Sequence, residues 1–245
     1  MTRRARIEGT NLLLVAVAAC AAAVSPLPAS AQVGPGAAEA AAYRGLHAAA
    51  WKGDAAAIQK LAGDRADTRA DNKAALEARD GNGRTPLHAA SFARQRGAVK
   101  ALLQAGADSA AFDNDRYDAV TIAAVADDED TLRVLLEGGA SARLTTSRYD
   151  GTALIAASHL GHDGVVRQLI AAGAPLDHVN NLHWTAVIEA VVLGDGGPRH
   201  QATLKALLDA GANSRLADRE GRTPLQLARA RGYAAMVKLL EAAPR

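Results

Sequence analysis

The sequence predicts an all-α-dominated solenoid of six helix-turn-helix repeats, joined by short β-hairpin loops in one elongated domain. Two observations lead there. First, a segment recurs along the chain. Its aligned apolar residues, Leu46, Leu87, Val120, Leu154, Val187 and Leu225, stand 41, 33, 34, 33 and 38 residues apart, and a period near 33 means stacked supersecondary units. Second, 60 of the 245 residues are alanine and only eight are aromatic, which suits thin helical layers better than a sandwich or barrel. A hydrophobic share of 49% with 22% charged residues excludes a disordered chain. The single cysteine, Cys20, excludes a disulfide scaffold and a cysteine-rich zinc site. A formal net charge of +2 gives no general case for nucleic-acid binding.

The N-terminal element is a leader. Arg3, Arg4 and Arg6 precede a 13-residue apolar run, Leu12 to Val24. Pro26 and Pro28 break it, and Ala29-Ser30-Ala31 forms a small-x-small cleavage site. This order is that of a secretory signal peptide spanning residues 1–31. The run is short of the roughly 20 apolar residues of a spanning helix, so no membrane span is expected. Val17-Ala18-Ala19-Cys20 resembles a bacterial lipobox, which makes a lipid anchor at Cys20 the alternative. Residues 1–31 hold three arginines and Glu8; without them 25 basic and 25 acidic residues remain, and the chain is formally neutral. With no cysteine left, it can enter an oxidising compartment without mispairing.

Residues 32–40, QVGPGAAEA, read as a linker of glycine, proline and alanine without periodicity. The repeat domain follows at 41–245, with repeats starting near 41, 80, 113, 147, 180 and 218. Thr85 can cap a helix, with Pro86 at the first helical position, where its missing N–H is harmless. Thr223-Pro224 repeats this, while Thr152-Ala153 and Thr185-Ala186 keep the cap alone. Val99, Leu102 and Leu103, or Val166, Leu169 and Ile170, space a second helix. Gly106, Gly139, Gly173 and Gly211 then stand where a left-handed C-terminal residue is wanted. The acid run Asp127, Asp128, Glu129 and Asp130 suits the positive end of a helix and reads as a solvated helix start.

Thr85-Pro86-Leu87-His88-x-Ala90, Gly161-His162 and Leu102-Leu103-x-x-Gly106-Ala107 are similar to the ankyrin repeat motif. The resemblance covers residues 41 to 243 as six units. It implies a scaffold that binds proteins and rarely catalyses. Two spacings depart from the family pattern. About eight extra polar residues fall within 62–73, and about five near 195–199, where a mobile projecting loop is expected. The third unit departs most, with Arg116 for glycine, Ala119 for proline and Thr121 for histidine, and is the expected soft spot.

No catalytic or cofactor-binding constellation emerges. There is no nucleophile elbow around Ser158-His159 and no phosphate-cradling loop; Gly81-Asn82-Gly83 is a hairpin tip. His47, His88 and His162 hold motif positions explained by structural hydrogen bonds. A metal site built from His159, His162, His178 and His183 lacks an acidic ligand pattern, so no metal residue is assigned.

The scarce aromatics are the most informative residues. The register places Tyr117, Tyr149 and Trp184 at hairpin tips, and Phe112 just before one. The resemblance places Trp51 and Phe92 late in a first helix, on the side facing the concave groove of ankyrin proteins. The other reading of these two is that they plug gaps between alanine-rich helices. Aromatics and arginine dominate binding hot spots, and Arg84, Arg148 and Arg222 stand at neighbouring tips. The candidate protein-binding residues are therefore Trp51, Arg84, Phe92, Tyr117, Arg148, Tyr149, Trp184 and Arg222, with Tyr149 and Trp184 at the centre.

The expected function is a monomeric, non-enzymatic, exported scaffold without cofactor. It would bind a partner protein in the bacterial periplasm. Resemblance to exported bacterial ankyrin proteins suggests a periplasmic enzyme as that partner. The alternatives are a small-molecule or metal binder using His159, His178 and His183, and a secreted effector acting on a host protein.

Overall fold

Side-chain caps mark the start of four of the first helices of the pairs and of one second helix. The computed structural model describes residues 33–63 and 69–243; the leader and Cys20 lie outside the described residues. A short helix, α1 (Ala37–Ala42), comes first. The paired helices are α2 (Gly45–Lys52) with α3 (Ala55–Gly63), α5 (Pro86–Phe92) with α6 (Arg96–Gln104), and α7 (Ala119–Val125) with α8 (Glu129–Glu137). They continue as α9 (Ala153–Leu160) with α10 (Asp163–Ala171), α11 (Ala186–Val192) with α12 (Pro198–Asp209), and α13 (Pro224–Ala230) with α14 (Ala234–Ala242). An extra helix, α4 (Arg69–Leu76), lies between the first two pairs. Strands β1 (Thr145–Thr146) and β2 (Gly151–Thr152) form an antiparallel hairpin with Thr145 opposite Thr152.

Asp118, Thr152, Thr185 and Thr223 accept a backbone N–H three residues on, at 3.0, 3.2, 3.3 and 3.4 Å. Each satisfies one of the donors a helix start leaves orphaned. Pro86 and Pro224 open α5 and α13 as the first helical residues.

The first helices of each pair stack on one another as one layer and the second helices as another. Leu87, Leu102, Leu132, Leu135, Leu154, Leu169, Leu204 and Leu207 fill the space between and are almost fully buried. Ala90, Ala123, Ala157 and Ala190, all at 0% exposure, let neighbouring first helices approach closely. No single pair could bury its apolar face alone, so stability comes from the stacking.

Equivalent tip residues take the left-handed conformation: Gly83, Arg116, Asp150, His183 and Gly221, with φ of 72°, 64°, 51°, 63° and 76°. A Cβ there costs about 1 kcal/mol. The strain expected of the third repeat through Arg116 is thus shared with the fourth and fifth. His183→Gly is expected to stabilise the fold by ~1 kcal/mol. An unchanged or lower urea midpoint would show that His183 carries no such strain.

Four readings of the sequence change. The segment read as a linker contains α1 and docks on the second repeat, as described below. The first insertion runs into α4, which starts within it and ends just beyond it at Leu76, buried at 3% exposure; residues 64–68 lie outside the described residues.

The second insertion does not project. It runs to α12, which at 12 residues exceeds the nine of α10. Asp195 accepts the Gly197 N–H at 2.8 Å and lies 2.9 Å from His200 Nδ1, and Gly194 carbonyl accepts the Tyr233 hydroxyl at 2.9 Å. A Cβ on Gly196 would meet the Tyr233 ring at 2.6 Å, so the loop lies flat against the last repeat.

The acid run is committed to neighbours. Asp128 caps α8 through the Thr131 N–H at 3.1 Å and is 5% exposed. Asp127 accepts Arg199 at 2.7 Å, two repeats away, while Asp130 pairs with Arg96 at 3.0 Å and with Arg133. Arg133 lies one turn along α8 from Asp130, whereas only tertiary stacking brings Arg96 and Arg199 to the run.

Candidate protein-binding surface

Two rows of side chains follow from the register of the first-helix caps. The residues just before the caps, from the second repeat on, are Arg84, Tyr117, Gly151, Trp184 and Arg222. Late in the same helices stand Trp51, Phe92, Val125, His159 and Val192, none fully exposed. Arg148 and Tyr149 lie further out, within the fourth hairpin tip. The sequence reading grouped Tyr149 with Trp184, but the two occupy different tip positions.

The first part of this surface is covered by the chain itself. Arg84 is only 5% exposed. Its Nη2 donates to the Val33 carbonyl at 2.7 Å, and Nη1 lies 3.5 Å from Glu39 and 3.6 Å from Asp80. Its guanidinium sits 5.5 Å from the centre of the Phe92 ring, a cation–π distance. Asn82 Nδ2 donates to Glu39 Oε1 at 2.6 Å. A Cβ on Gly34 would stand 3.1 Å from the Phe92 ring, so the backbone passes directly over it. Tyr43, at the end of α1, is 8% exposed and donates its hydroxyl to Asp80 at 2.7 Å. Burial and this contact push its phenol up. The Trp51 ring meets Tyr43 edge-on at 6.1 Å. Arg84, Phe92 and Trp51, read from the sequence as free partner contacts, are therefore engaged by residues 33–43. The assigned linker, 32–40, carried the signal in Val33 and Glu39, with Tyr43 just beyond it, but its glycines and alanines gave no period to read.

The remaining candidates are open to different degrees. Arg222 is exposed but forked onto Asp218, at 2.8 Å from Nε and 2.7 Å from Nη2. Arg148 is exposed and pairs with Asp115 at 3.0 Å across one repeat. The Arg148 pair, exposed on both sides, contributes about 0.5 kcal/mol and is readily exchanged for a partner, whereas the carboxylate holding Arg222 is buried. Tyr117 is half-buried, and burial raises its phenol. Trp184 is half-buried and packs against the core, whereas Tyr149 is half-buried outside that cluster.

His88 and Glu189 hold this surface from beneath. His88 Nδ1 lies 3.1 Å from the Thr85 N–H, which it accepts, so its proton sits on Nε2, 3.0 Å from the Tyr117 carbonyl it donates to. Burial pushes its ring well below the ordinary histidine value. Glu189, 4% exposed, accepts Asn180 Nδ2 at 3.0 Å through Oε1. Asn180 Oδ1 in turn accepts the N–H groups of Leu182 and Trp184 at 3.0 and 2.9 Å. Glu189 Oε2 is buried without a hydrogen bond, 3.7 Å from His159 Nδ1. Burial raises the carboxyl to about 7. The sequence reading missed Glu189, although it is the one acid among apolar residues in α11.

The histidines do not converge. His47 lies 2.8 Å from the Arg84 carbonyl, His162 2.9 Å from that of Ala124, and His178 2.6 Å from that of Asp150. Among the described residues no group of three or more His, Cys, Asp or Glu is placed to hold a metal ion. Also among the described residues, no helix is long and apolar enough to cross a membrane.

The family model described as Ankyrin repeats (3 copies) matches residues 46–146, and that of a single Ankyrin repeat matches 149–181. A protein of Escherichia coli (strain K12), named as the ankyrin repeat protein YahD, is 37% identical over 165 residues, covering 67% of this chain and 82% of that protein. Human ankyrin repeat and SOCS box protein 16 is 32% identical over 171 residues, but the match spans only 37% of its length. Among solved structures, an ankyrin repeat domain from Acinetobacter baumannii AYE superposes with a TM-score of 0.71 at 43% identity, covering 81% of this chain and 96% of that one. A second ankyrin repeat protein, EF0377, gives a TM-score of 0.73 at 29% identity over 82% of this chain and all of its own. Such proteins are generally binding scaffolds rather than enzymes. With its period, its six helix pairs and these relatives in agreement, the chain belongs to the ankyrin repeat family.

Proposed function

We propose that this protein is an exported, non-catalytic scaffold that binds a partner protein along its hairpin tips and first-helix layer, with Tyr149 and Trp184 at the centre. The observation that carries this reading is the open stretch of the third to fifth repeats. There Tyr117, Arg148, Tyr149 and Trp184 stand partly exposed along successive tips, while the first two repeats are covered by the chain itself. A large ring at a tip and outside the packed core, as at Tyr149, is typical of an interface anchor. The leader read in residues 1–31 supports export to the periplasm of a Gram-negative bacterium, where a periplasmic enzyme is the proposed partner. Expression of the full chain in such a host, followed by intact mass measurement of the periplasmic product, tests the export step. A product beginning at Gln32 supports it, one beginning at a lipidated Cys20 favours the anchored form, and an uncleaved cytoplasmic chain overturns it.

Residues 32–245, one compact unit, serve as bait in native periplasmic extract. Tyr149→Ala is expected to weaken capture by ~2 kcal/mol or more, the scale of a hot spot, with little change in urea midpoint. Trp184→Ala is expected to weaken both, because its ring packs against the core. A partner retained equally by wild type and Tyr149→Ala would move the site elsewhere.

A further inference from the structure

The docked segment 33–39 shows what its own resting place recognises. Arg84 takes a backbone carbonyl, that of Val33, at 2.7 Å. The Phe92 ring takes a bare glycine backbone, Gly34. A carboxylate five residues after that glycine, Glu39, reaches both Arg84 and Asn82. These are the three parts of a site for a chain that is extended at its glycine and helical at its carboxylate: a cation, an aromatic floor and a polar clamp.

The segment fills this site incompletely. Glu39 spends Oε1 on Asn82 and Oε2 on the Gly36 N–H at 2.9 Å. In this placement only Oε2 approaches Arg84, at 3.5 Å from Nη1, so the two-pronged contact that a guanidinium and a carboxylate prefer is not made. Arg84 Nη1 is left buried with no hydrogen bond, its two carboxylate neighbours standing beyond hydrogen-bond reach at 3.5 and 3.6 Å. The segment is also weakly held. No residue of the six-residue α1 is buried, and a helix that short has little stability of its own.

We propose that Arg84, Phe92 and Asn82 form a recognition site for a segment of a partner protein that is extended at a glycine and then turns into a helix carrying a carboxylate five residues later, and that residues 33–39 occupy it as a tethered competitor. The inference rests on the binding-scaffold reading and deepens it. The site adjoins the open Tyr117 edge, so a partner lying across the tips would reach it by lifting the segment away. A short flexible tether gives an effective concentration in the millimolar range. A free peptide of micromolar affinity must overcome that competition, which lowers its apparent affinity tenfold or more.

The probe is a fluorescein-labelled peptide of residues 32–42, titrated into the full chain by fluorescence anisotropy. Glu39→Lys sets a cation against Arg84 and is expected to release the segment, read as faster amide exchange over 33–42. The released chain should bind the peptide at least tenfold more tightly than wild type. Adding Arg84→Gln should abolish the gain. Phe92→Ala in the Glu39→Lys background gives a second loss of binding that leaves the buried cation in place. Three results would each overturn the proposal. One is undiminished protection of residues 33–42 in Glu39→Lys, because a carboxylate–arginine contact then does not hold the segment. Another is equal peptide binding by wild type and Glu39→Lys. The last is a released chain that fails to bind. Since Tyr149 and Trp184 stay intact throughout, capture of the partner from extract reports separately on the scaffold reading.

Discussion

Replacing Glu189 by glutamine is expected to stabilise the protein by roughly 3 kcal/mol above pH 7 and to remove a fall in stability between about pH 4.5 and 7. The folded carboxyl titrates near 7 and the ordinary value is 4.5. The folded state therefore holds this proton more tightly than the unfolded one. Between about pH 4.5 and 7 the unfolded chain binds fewer protons, so stability falls as pH rises through that window. The loss is complete once the folded carboxyl ionises, and each tenfold difference in proton affinity between the two states is worth about 1.4 kcal/mol. Glutamine keeps the carbonyl that Asn180 needs and can donate toward His159 Nδ1, 3.7 Å from the present Oε2. His159 works in the opposite sense: burial, then the neighbouring His200 and His162, lower its value, so stability falls as pH drops through 6.5. Urea midpoints of wild type and Glu189→Gln across pH 5 to 9 separate the two. Parallel curves would mean that Glu189 does not titrate in this range. Because Glu189 holds Asn180, and Asn180 holds the backbone of Trp184, the same residue links pH to the order of the proposed binding tip.

His88→Ala is expected to destabilise by roughly 3 kcal/mol, since it opens a buried cavity and strands the Thr85 N–H and the Tyr117 carbonyl. The ring is 1% exposed. It also resists protonation, so stability is present above pH 6.5 and falls as the pH drops below it, where the unfolded histidine takes a proton and the folded one does not. The alanine variant should lose that acid-side slope along with the stability. Faster amide exchange is expected at the third hairpin tip around Tyr117, because the lost contact is the one that joins the second repeat to it. A loss below about 1 kcal/mol, with the acid slope intact, would place the junction's strength elsewhere.

Much of this was legible because ankyrin units are local. Thr85-Pro86-Leu87-His88 specifies a cap, a start, a core residue and a bridge within four positions, and the period near 33 sets the stack. His88, His47 and His162 sit at motif positions, and their hydrogen bonds follow from that. Other features have no local pattern. Glu39 and Arg84 are 45 residues apart, and nothing in GPGAAEA distinguishes a tether from a docked segment until the Phe92 ring is beneath it. Asp127 and Arg199 are two repeats apart, so an acid run that reads as solvated becomes a junction, and an insertion that reads as mobile is tied down.

The sequence by itself determined the repeat number, the helix pairing, the capping residues and the rings left over at the tips, because each depends on contacts within one unit or on its spacing from the next. Only the tertiary structure decided which candidates stay open. Stacking sets long-range neighbours against each other, buries Arg84 and partly covers Phe92 and Trp51 with residues 33–43, seats Trp184 on the core, leaves Tyr149 outside it, and takes Glu189 out of water. Solvent exposure, and with it both protonation and availability to a partner, belongs to the packed array rather than to any one repeat.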